Sequence, residues 1–255
     1  MTIGEQLKVI NENTGKVYEA GYAKGHADGA ESGAAYYDSF WDAYQDNGKR
    51  TIYRYGFAGY GWTDDTFKPK YNIAPDAYGA IYLFSNSRIT DLKQALAERE
   101  IALDVSKVKI ALAMFEGAEN LTHLPALDLS VCESASTLFK DNKALISIDG
   151  LKVGASTKFD GNSFYGCSAL ETVIFGGVIA QNGLNLSACA KLSKDSIISV
   201  LDALSPNTSE LTVTLSLAAV DKAFESVEGA NDGSLTQEWF FTQLPKDDNW
   251  TISLI

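Results

Sequence analysis

The sequence predicts an α+β protein in which a long N-terminal helix precedes a short solenoid of irregular repeats and a C-terminal α/β cap. Three observations predict this fold class: apolar residues at helical spacing near the start, similar blocks that recur along the middle of the chain, and alternating helix-like and strand-like segments near the end. The expected domains are a helical stalk or oligomerisation segment (1–48), an aromatic N-terminal cap (49–81), the solenoid (82–192) and the C-terminal cap (193–255).

The charge balance limits the classes of partner. The 255 residues include 33 acids and 21 Lys+Arg, which give a formal net charge of -12. A protein that neutralises phosphates needs clustered Lys and Arg, so we expect neither nucleic acid nor an anionic membrane surface as a partner. No stretch approaches the ~18 apolar residues of a membrane span, so no membrane insertion is expected.

The start of the chain and its cysteines bear on the compartment of synthesis. The first seven residues carry an acid and lack the apolar core and cleavage site of a signal peptide, which predicts synthesis and folding in a cytoplasm. Cys132, Cys167 and Cys189 agree with this, since their number is odd and their spacing is neither CxxC nor a secreted disulfide framework.

The predicted stalk has two parts. The first is a coiled-coil seam at four-three spacing, formed by Ile3, Leu7, Ile10 and Val17. The second is a series of glycines spaced by four, Gly21, Gly25, Gly29 and Gly33. Each glycine costs a helix about 1 kcal/mol relative to alanine, so the series indicates either close approach of a second backbone or a flexible neck. Both parts are candidate oligomerisation residues.

An aromatic, turn-rich segment follows over 49–81. It includes Tyr53, Tyr55, Phe57, Tyr60, Trp62, Phe67 and Tyr71. One interpretation is an end cap that seals the first repeat, because an open solenoid end exposes its core. The other is a surface on which carbohydrate stacks.

The repeats are the most informative feature of the sequence. Each block begins with a large apolar anchor, and the last four blocks have a second apolar residue six positions later. The anchors, at intervals of 31, 24, 25 and 22 residues, are Phe84, Phe115, Phe139, Phe164 and Leu186. This period fits the coil of a leucine-rich-repeat solenoid, in which each coil buries its face against its neighbours.

The residue three positions after an anchor is predicted to lie at a corner, where the chain of each coil changes direction. Asn142, Cys167 and Cys189 occupy it, and leucine-rich repeats use Asn or Cys there. The two cysteines are therefore predicted to be buried structural thiols rather than nucleophiles. Beyond the repeats, we predict a helix from 193 to 204, a strand over 211–215, helices over 218–224 and 236–244, and a final strand over 250–255.

The blocks over about 82–192 resemble the BspA-like subclass of leucine-rich repeats, whose copies carry a Phe, a Gly-Cys or Asn corner and a following Leu. The whole chain is similar to leucine-rich-repeat proteins encoded by phages and prophages of gut Firmicutes. The stretches that carry this similarity are 3–7, 40–45, 61–62 with 66–71, 182–186 and 249–254. The resemblance implies a virion protein, such as a tail or baseplate appendage, that contacts other virion proteins or a host-surface protein or glycan.

Residues suited to catalysis or to cofactor and metal binding are not prominent. His26 and His123 have no companion at metal spacing, and the chain has no HExxH, GxSxG, GxxxxGK[ST] or GxGxxG motif. We therefore expect no catalytic, cofactor-binding or metal-binding residues, and a non-enzymatic binding protein that is a homo-oligomer through its N-terminal helix. The alternatives are a bacterial adhesin or interaction scaffold unrelated to a particle and, as a third class, a carbohydrate-cleaving appendage.

Overall fold

The computed structural model describes residues 56–59, 61–70, 72–75, 77–78, 80–206, 210–224 and 250–255. The predicted stalk over 1–48, with its candidate oligomerisation residues, and the predicted helix over 236–244 lie outside these ranges. The described helices and strands, in chain order, are α1 (Leu92–Ala97), β1 (His123–Leu124), β2 (Leu127–Leu129), β3 (Ser147–Val153), β4 (Thr172–Gly177), β5 (Asn185–Leu186), α2 (Lys194–Ala203), β6 (Leu211–Leu215), α3 (Leu217–Phe224) and β7 (Trp250–Leu254).

The strands form two parallel sheets. In the first, β3 pairs with β4 along one edge and with β1 and then β2 along the other, so Ile148 lies between Leu124 and Val173. In the second, β6 lies between β5 and β7, and Leu215 pairs with Leu186. Buried and more exposed residues alternate along β4 and β6, and along β3 apart from a register shift between Ile148 and Leu151, which places one face of each sheet against the core.

Five buried phenylalanine rings stack through the middle of the core. We call this set the phenylalanine column; it consists of Phe57, Phe84, Phe115, Phe139 and Phe164. Successive ring centroids lie 5.0, 5.3, 5.6 and 5.1 Å apart, within the range of favourable aromatic contact. Leu186, the last predicted anchor, is also fully buried.

Backbone hydrogen bonds join the successive segments beside this column. The amide of Phe84 donates to the carbonyl of Met114 at 2.7 Å, and the amide of Phe115 donates to the carbonyl of Leu138 at 3.0 Å. Two residues after each ring the chain turns through a positive φ. The residues at these turns are Gly59, Asn86, Gly117, Asp141 and Gly166. Gly, Asn and Asp are the residue types that tolerate this conformation best, so the sequence permits the same tight turn in each segment.

The predicted fold class, an α+β chain with a long N-terminal helix, a leucine-rich-repeat (BspA-like) solenoid and a C-terminal α/β cap, is wrong for the described residues. They form three short helices and two separate parallel sheets, joined largely by turns. The last predicted repeat belongs to the second sheet, because its strand β5 pairs with β6 and not with β4. The predicted repeats and the predicted cap are therefore not distinct sheet units.

Helix α2 explains why the first sheet ends at β4. The amides of Val173 and Phe175 on β4 donate to the hydroxyls of Ser196 and Ser199 on α2, each at 3.0 Å. These hydroxyls satisfy strand-edge amides that a further strand would otherwise have to satisfy. Ser193 caps the helix, since its hydroxyl accepts the amide of Ser196 at 3.2 Å.

Three rings of the aromatic segment are buried, whereas Tyr78 in the same segment is 50% exposed. Phe57, Trp62 and Phe67 pack edge-to-face, with centroids 5.2 to 6.2 Å apart, and Phe57 stacks on Phe84. This arrangement favours a packing role for the three rings over a carbohydrate-stacking surface. None of the helices in the described ranges has the length and apolar content needed to cross a bilayer.

Candidate interaction surface

The outer face of the four-stranded sheet is the most regular open surface of the described residues. Along β3, Ile148, Leu151 and Val153 are buried, whereas Asp149 and Lys152 are exposed. Along β4, Val173 and Phe175 are buried while Ile174 is 38% exposed. The inner side chains anchor the strands in the core, so the outer side chains are held in fixed positions relative to one another.

Two neighbouring residues near the centre of this face, Ala126 and Gly150, have little or no side chain. Gly150 lies on β3 and Ala126 between β1 and β2, and a Cβ placed on Gly150 would be 3.6 Å from the Cβ of Ala126. Gly176 lies further along β4, and a Cβ there would have no atom within 4 Å. A partner can therefore approach the strands closely here.

Charged side chains on this face lie in opposite-sign pairs. Lys152 contacts Asp128 at 2.9 Å, and Lys93 of α1 contacts Asp149 at 2.9 Å. Hydrogen bonding from Ser130, with a smaller effect of the Lys152 ammonium, lowers the pKa of Asp128 below its usual value. The hydrogen bond to Asp149 raises the pKa of Lys93. These pairs are solvent-exposed, so they define a charge pattern more than they stabilise the fold.

Similar ion pairs connect equivalent positions of successive segments elsewhere. Four pairs join residues 24 positions apart at 2.7 to 3.1 Å: Lys109–Glu133, Lys140–Glu116, Lys143–Glu119 and Lys152–Asp128. Each joins a lysine in one segment to an acid in an adjacent segment, so the pairs favour one alignment of the neighbouring segments.

His123 lies at the edge of the same face. Its Nδ1 is 3.3 Å from Oδ2 of Asp91 and 2.8 Å from the hydroxyl of Thr122. Asp91 also caps α1 by accepting the amide of Gln94 at 2.8 Å. Both neighbours of the ring therefore lie at its Nδ1 side. Within the described ranges, no three His, Cys, Asp or Glu side chains are placed to hold a metal ion.

The predicted corner residues are all fully buried. The Sγ of Cys167 donates to the carbonyl of Phe139 at 3.1 Å, and burial raises the pKa of this thiol to about 12. Burial also raises the pKa of Cys189, and all three cysteines are free thiols. The side-chain amide of Asn142 is buried with neither its oxygen nor its nitrogen hydrogen-bonded. These positions carry buried groups and are not part of the open surface.

Sequence reasoning placed the anchors Phe84, Phe115, Phe139, Phe164 and Leu186 without identifying the residues that form the surface. It assigned Phe57 to the aromatic cap, whereas this ring begins the phenylalanine column. The positive-φ position two residues after each ring of the phenylalanine column was also missed, although its Gly, Asn and Asp residues were a usable signal. The outer face was missed because the buried pattern that reveals the anchors says nothing about exposed positions. Comparison with models of protein families, with curated proteins and with solved structures yields no match to this chain.

Proposed function

We propose that this chain is a non-enzymatic phage virion protein, a tail or baseplate appendage that binds a bacterial host surface. The observation that carries the proposal is the outer face of the four-stranded sheet, whose side chains are exposed at Asp149, Lys152 and Ile174 while its inner face is buried. The assignment to a particle rests on the resemblance to phage and prophage proteins that the sequence predicts for stretches such as 3–7, 40–45 and 249–254.

The physical basis of binding is preorganisation. A surface on parallel strands whose inner side chains are packed loses little conformational entropy when a partner docks. The small residues Ala126 and Gly150 permit close contact, and the paired charges at Asp128–Lys152 and Lys93–Asp149 give the face a pattern that a partner can match.

Homo-oligomerisation through the N-terminal segment remains part of the proposal. The variant Leu7→Lys/Ile10→Lys in the full chain places charges on the predicted seam, so we expect it to lower the mass measured by light scattering. The matched control Lys8→Ala changes a residue outside the seam and should leave the mass unchanged. A monomeric wild-type chain would contradict this part.

The particle assignment is tested by immunogold electron microscopy of purified virions with an antibody to the full chain. Labelling at one end of the tail supports the proposal. Particles without label, together with binding of the chain to bacterial cells, would instead favour the adhesin or scaffold alternative.

The sheet face is tested by the binding of fluorescent full-length chain to host cells. Ile174→Lys adds a charge at the centre of the face and is expected to weaken binding about tenfold or more. Val131→Lys makes a similar change at a side chain that is 49% exposed outside the strands, and it should have little effect. Equal binding by the two variants would contradict the assignment of this face.

A further inference from the structure

A second open feature lies at the three-stranded sheet, away from the face described above. It is a groove of about 310 Å³ whose polar lining comes from Asn182, Asn185, Thr212 and Thr214, with Gly161 and Gly183 at its sides. This volume is at the lower end of the range for small-ligand sites.

Backbone contacts fix the two asparagines. Oδ1 of Asn182 accepts the amide of Thr212 at 2.7 Å, and Oδ1 of Asn185 accepts the amide of Ser187 at 3.0 Å. With each carbonyl oxygen held by a backbone amide, each Nδ2 group remains as a donor. Asn185 is also paired in register with Thr214, which places the two side chains on neighbouring strands.

The two threonines are positioned by the alternation of β6. Val213 and Leu215 point into the core, so Thr212 and Thr214 lie on the open face. Among the described residues, no hydrogen bond engages either threonine hydroxyl or the Nδ2 groups of the two asparagines. The groove therefore offers two amide donors and two hydroxyls that can both donate and accept.

The uncharged lining of the groove favours a neutral ligand over an ion. No side chain among the described residues that line it is ionisable, although the chain has a net charge of -12. The described lining residues offer an anion no Lys or Arg and offer a calcium ion no carboxylate, which are the groups that bind these ions most strongly. An extended peptide would need a free strand edge, whereas β6 is paired on both sides.

We propose that this groove binds a neutral oligosaccharide. Sugar hydroxyls accept from the Nδ2 groups of Asn182 and Asn185 and exchange hydrogen bonds with the hydroxyls of Thr212 and Thr214. Gly161 lets a ring approach the backbone, since a Cβ there would have no atom within 4 Å and the groove stays open at that residue. The inference rests on the proposed function only for the source of the sugar, a host surface.

The test uses the full chain on an array of neutral oligosaccharides with sialylated and sulfated counterparts, followed by calorimetric titration of the best ligand. We expect a neutral ligand whose affinity is the same at low and high salt. Thr212→Val and Thr214→Val should each weaken it about five- to tenfold, the effect of losing one hydrogen bond. Thr172→Val, on a strand of the other sheet, should change it less than twofold.

Thermal unfolding of each variant shows whether it has folded; Val keeps the β-branched shape that a strand favours. Should Thr214→Val nevertheless unfold, Asn182→Asp, which brings a charge to the groove, serves as the second variant and is expected to weaken binding. The inference would be overturned if the chain bound only charged glycans or no glycan at all. It would also be overturned if none of the groove substitutions changed the affinity.

Periodate-treated host cells separate this inference from the proposed function. If untreated cells bind the chain but neither periodate nor Thr214→Val reduces binding, the glycan groove is wrong and the host-binding proposal stands. Suppose instead that Thr214→Val abolishes binding to the array, while virions are not labelled and host cells do not bind the chain. The groove then binds a neutral oligosaccharide and the proposed function is wrong.

Discussion

The rings of Phe84 and Phe115 stack with their centroids 5.3 Å apart and their planes inclined by 5°. Both rings are almost wholly buried, and each also contacts a further ring of the phenylalanine column. Two phenylalanines 31 positions apart in the sequence are therefore in direct contact in the core.

Removal of one ring should strongly destabilise the protein. Phe115→Ala is expected to lower the free energy of unfolding by about 3–5 kcal/mol, because it leaves a cavity between Phe84 and Phe139. Phe115→Leu should cost less than half of this. Urea unfolding followed by circular dichroism measures both. Tyr165→Ala is the control, since this ring is 57% exposed and its loss should change stability by no more than about 0.5 kcal/mol. A Phe115→Ala effect as small as that of the control would contradict the stacking.

The sequence revealed the column because phenylalanine recurs with a second apolar residue six positions later. Phe84 belongs to a shortened copy with Ile89 five positions later, and Phe57 escaped the rule, since Thr63 stands where the last four blocks have an apolar residue. The sequence around β4 did not indicate that this strand would be the edge of its sheet. Its edge amides could donate hydrogen bonds either to a further strand or to the hydroxyls of Ser196 and Ser199.

The open surfaces were still harder to predict. The groove at the second sheet combines Gly161 and 182–185 with Thr212 and Thr214; the pairing of β5 with β6 brings the last two beside Asn185, and Gly161 comes from a separate segment. Short polar segments of this kind occur in many loops, so their sequence carries no sign that they share a cavity. The pairing register is a property of the whole fold.

The contact between α2 and β4 predicts a cost for the loss of one hydroxyl. Ser196→Ala leaves the amide of Val173 without its acceptor in a fully buried position, which should destabilise the protein by about 1–3 kcal/mol. Ser168→Ala, at an exposed serine, is the matched control. Chemical denaturation of both variants gives the comparison. If Ser196→Ala were as stable as its control, the sheet edge would not depend on this hydroxyl.

Two glycines that differ only in their surroundings provide a further test. A Cβ on Gly154 would overlap the carbonyl oxygen of Ser130, a backbone atom that cannot move aside alone, so Gly154→Ala should destabilise the fold by about 1–3 kcal/mol. Gly176→Ala has free space around the new methyl group and is expected to be neutral or slightly stabilising. Thermal unfolding distinguishes the two variants. Equal unfolding midpoints would show that Gly154 and the carbonyl oxygen of Ser130 are too far apart for a Cβ to contact it.

The buried thiol of Cys167 predicts a loss of stability at alkaline pH. Its pKa is raised to about 12 in the folded protein, from an ordinary value near 9.0. The unfolded chain therefore loses this proton first, so the stabilisation is complete below pH 9 and is lost as pH rises toward 12. Between pH 8.5 and 10.5, unfolding free energy should fall about 2 kcal/mol further in wild type than in Cys167→Ala, in which the other two cysteines remain. Urea unfolding at both values measures this. Parallel decreases would show that the thiol ionises normally in the folded protein.

Asn142 lies three residues after its anchor, the position that Cys167 and Cys189 occupy in their own blocks. Its buried side-chain amide has no hydrogen-bond partner. A buried polar group without a partner costs about 1–3 kcal/mol, whereas a thiol of similar size costs little in this setting. Asn142→Cys is therefore expected to raise the free energy of unfolding by about 1 kcal/mol, measured by urea denaturation under reducing conditions. The reciprocal variant Cys167→Asn should lower it, because the amide replaces a thiol whose Sγ donates to the carbonyl of Phe139. If Asn142→Cys lowered the free energy of unfolding instead, the side-chain amide of Asn142 would have hydrogen-bond partners in solution that stabilise the fold.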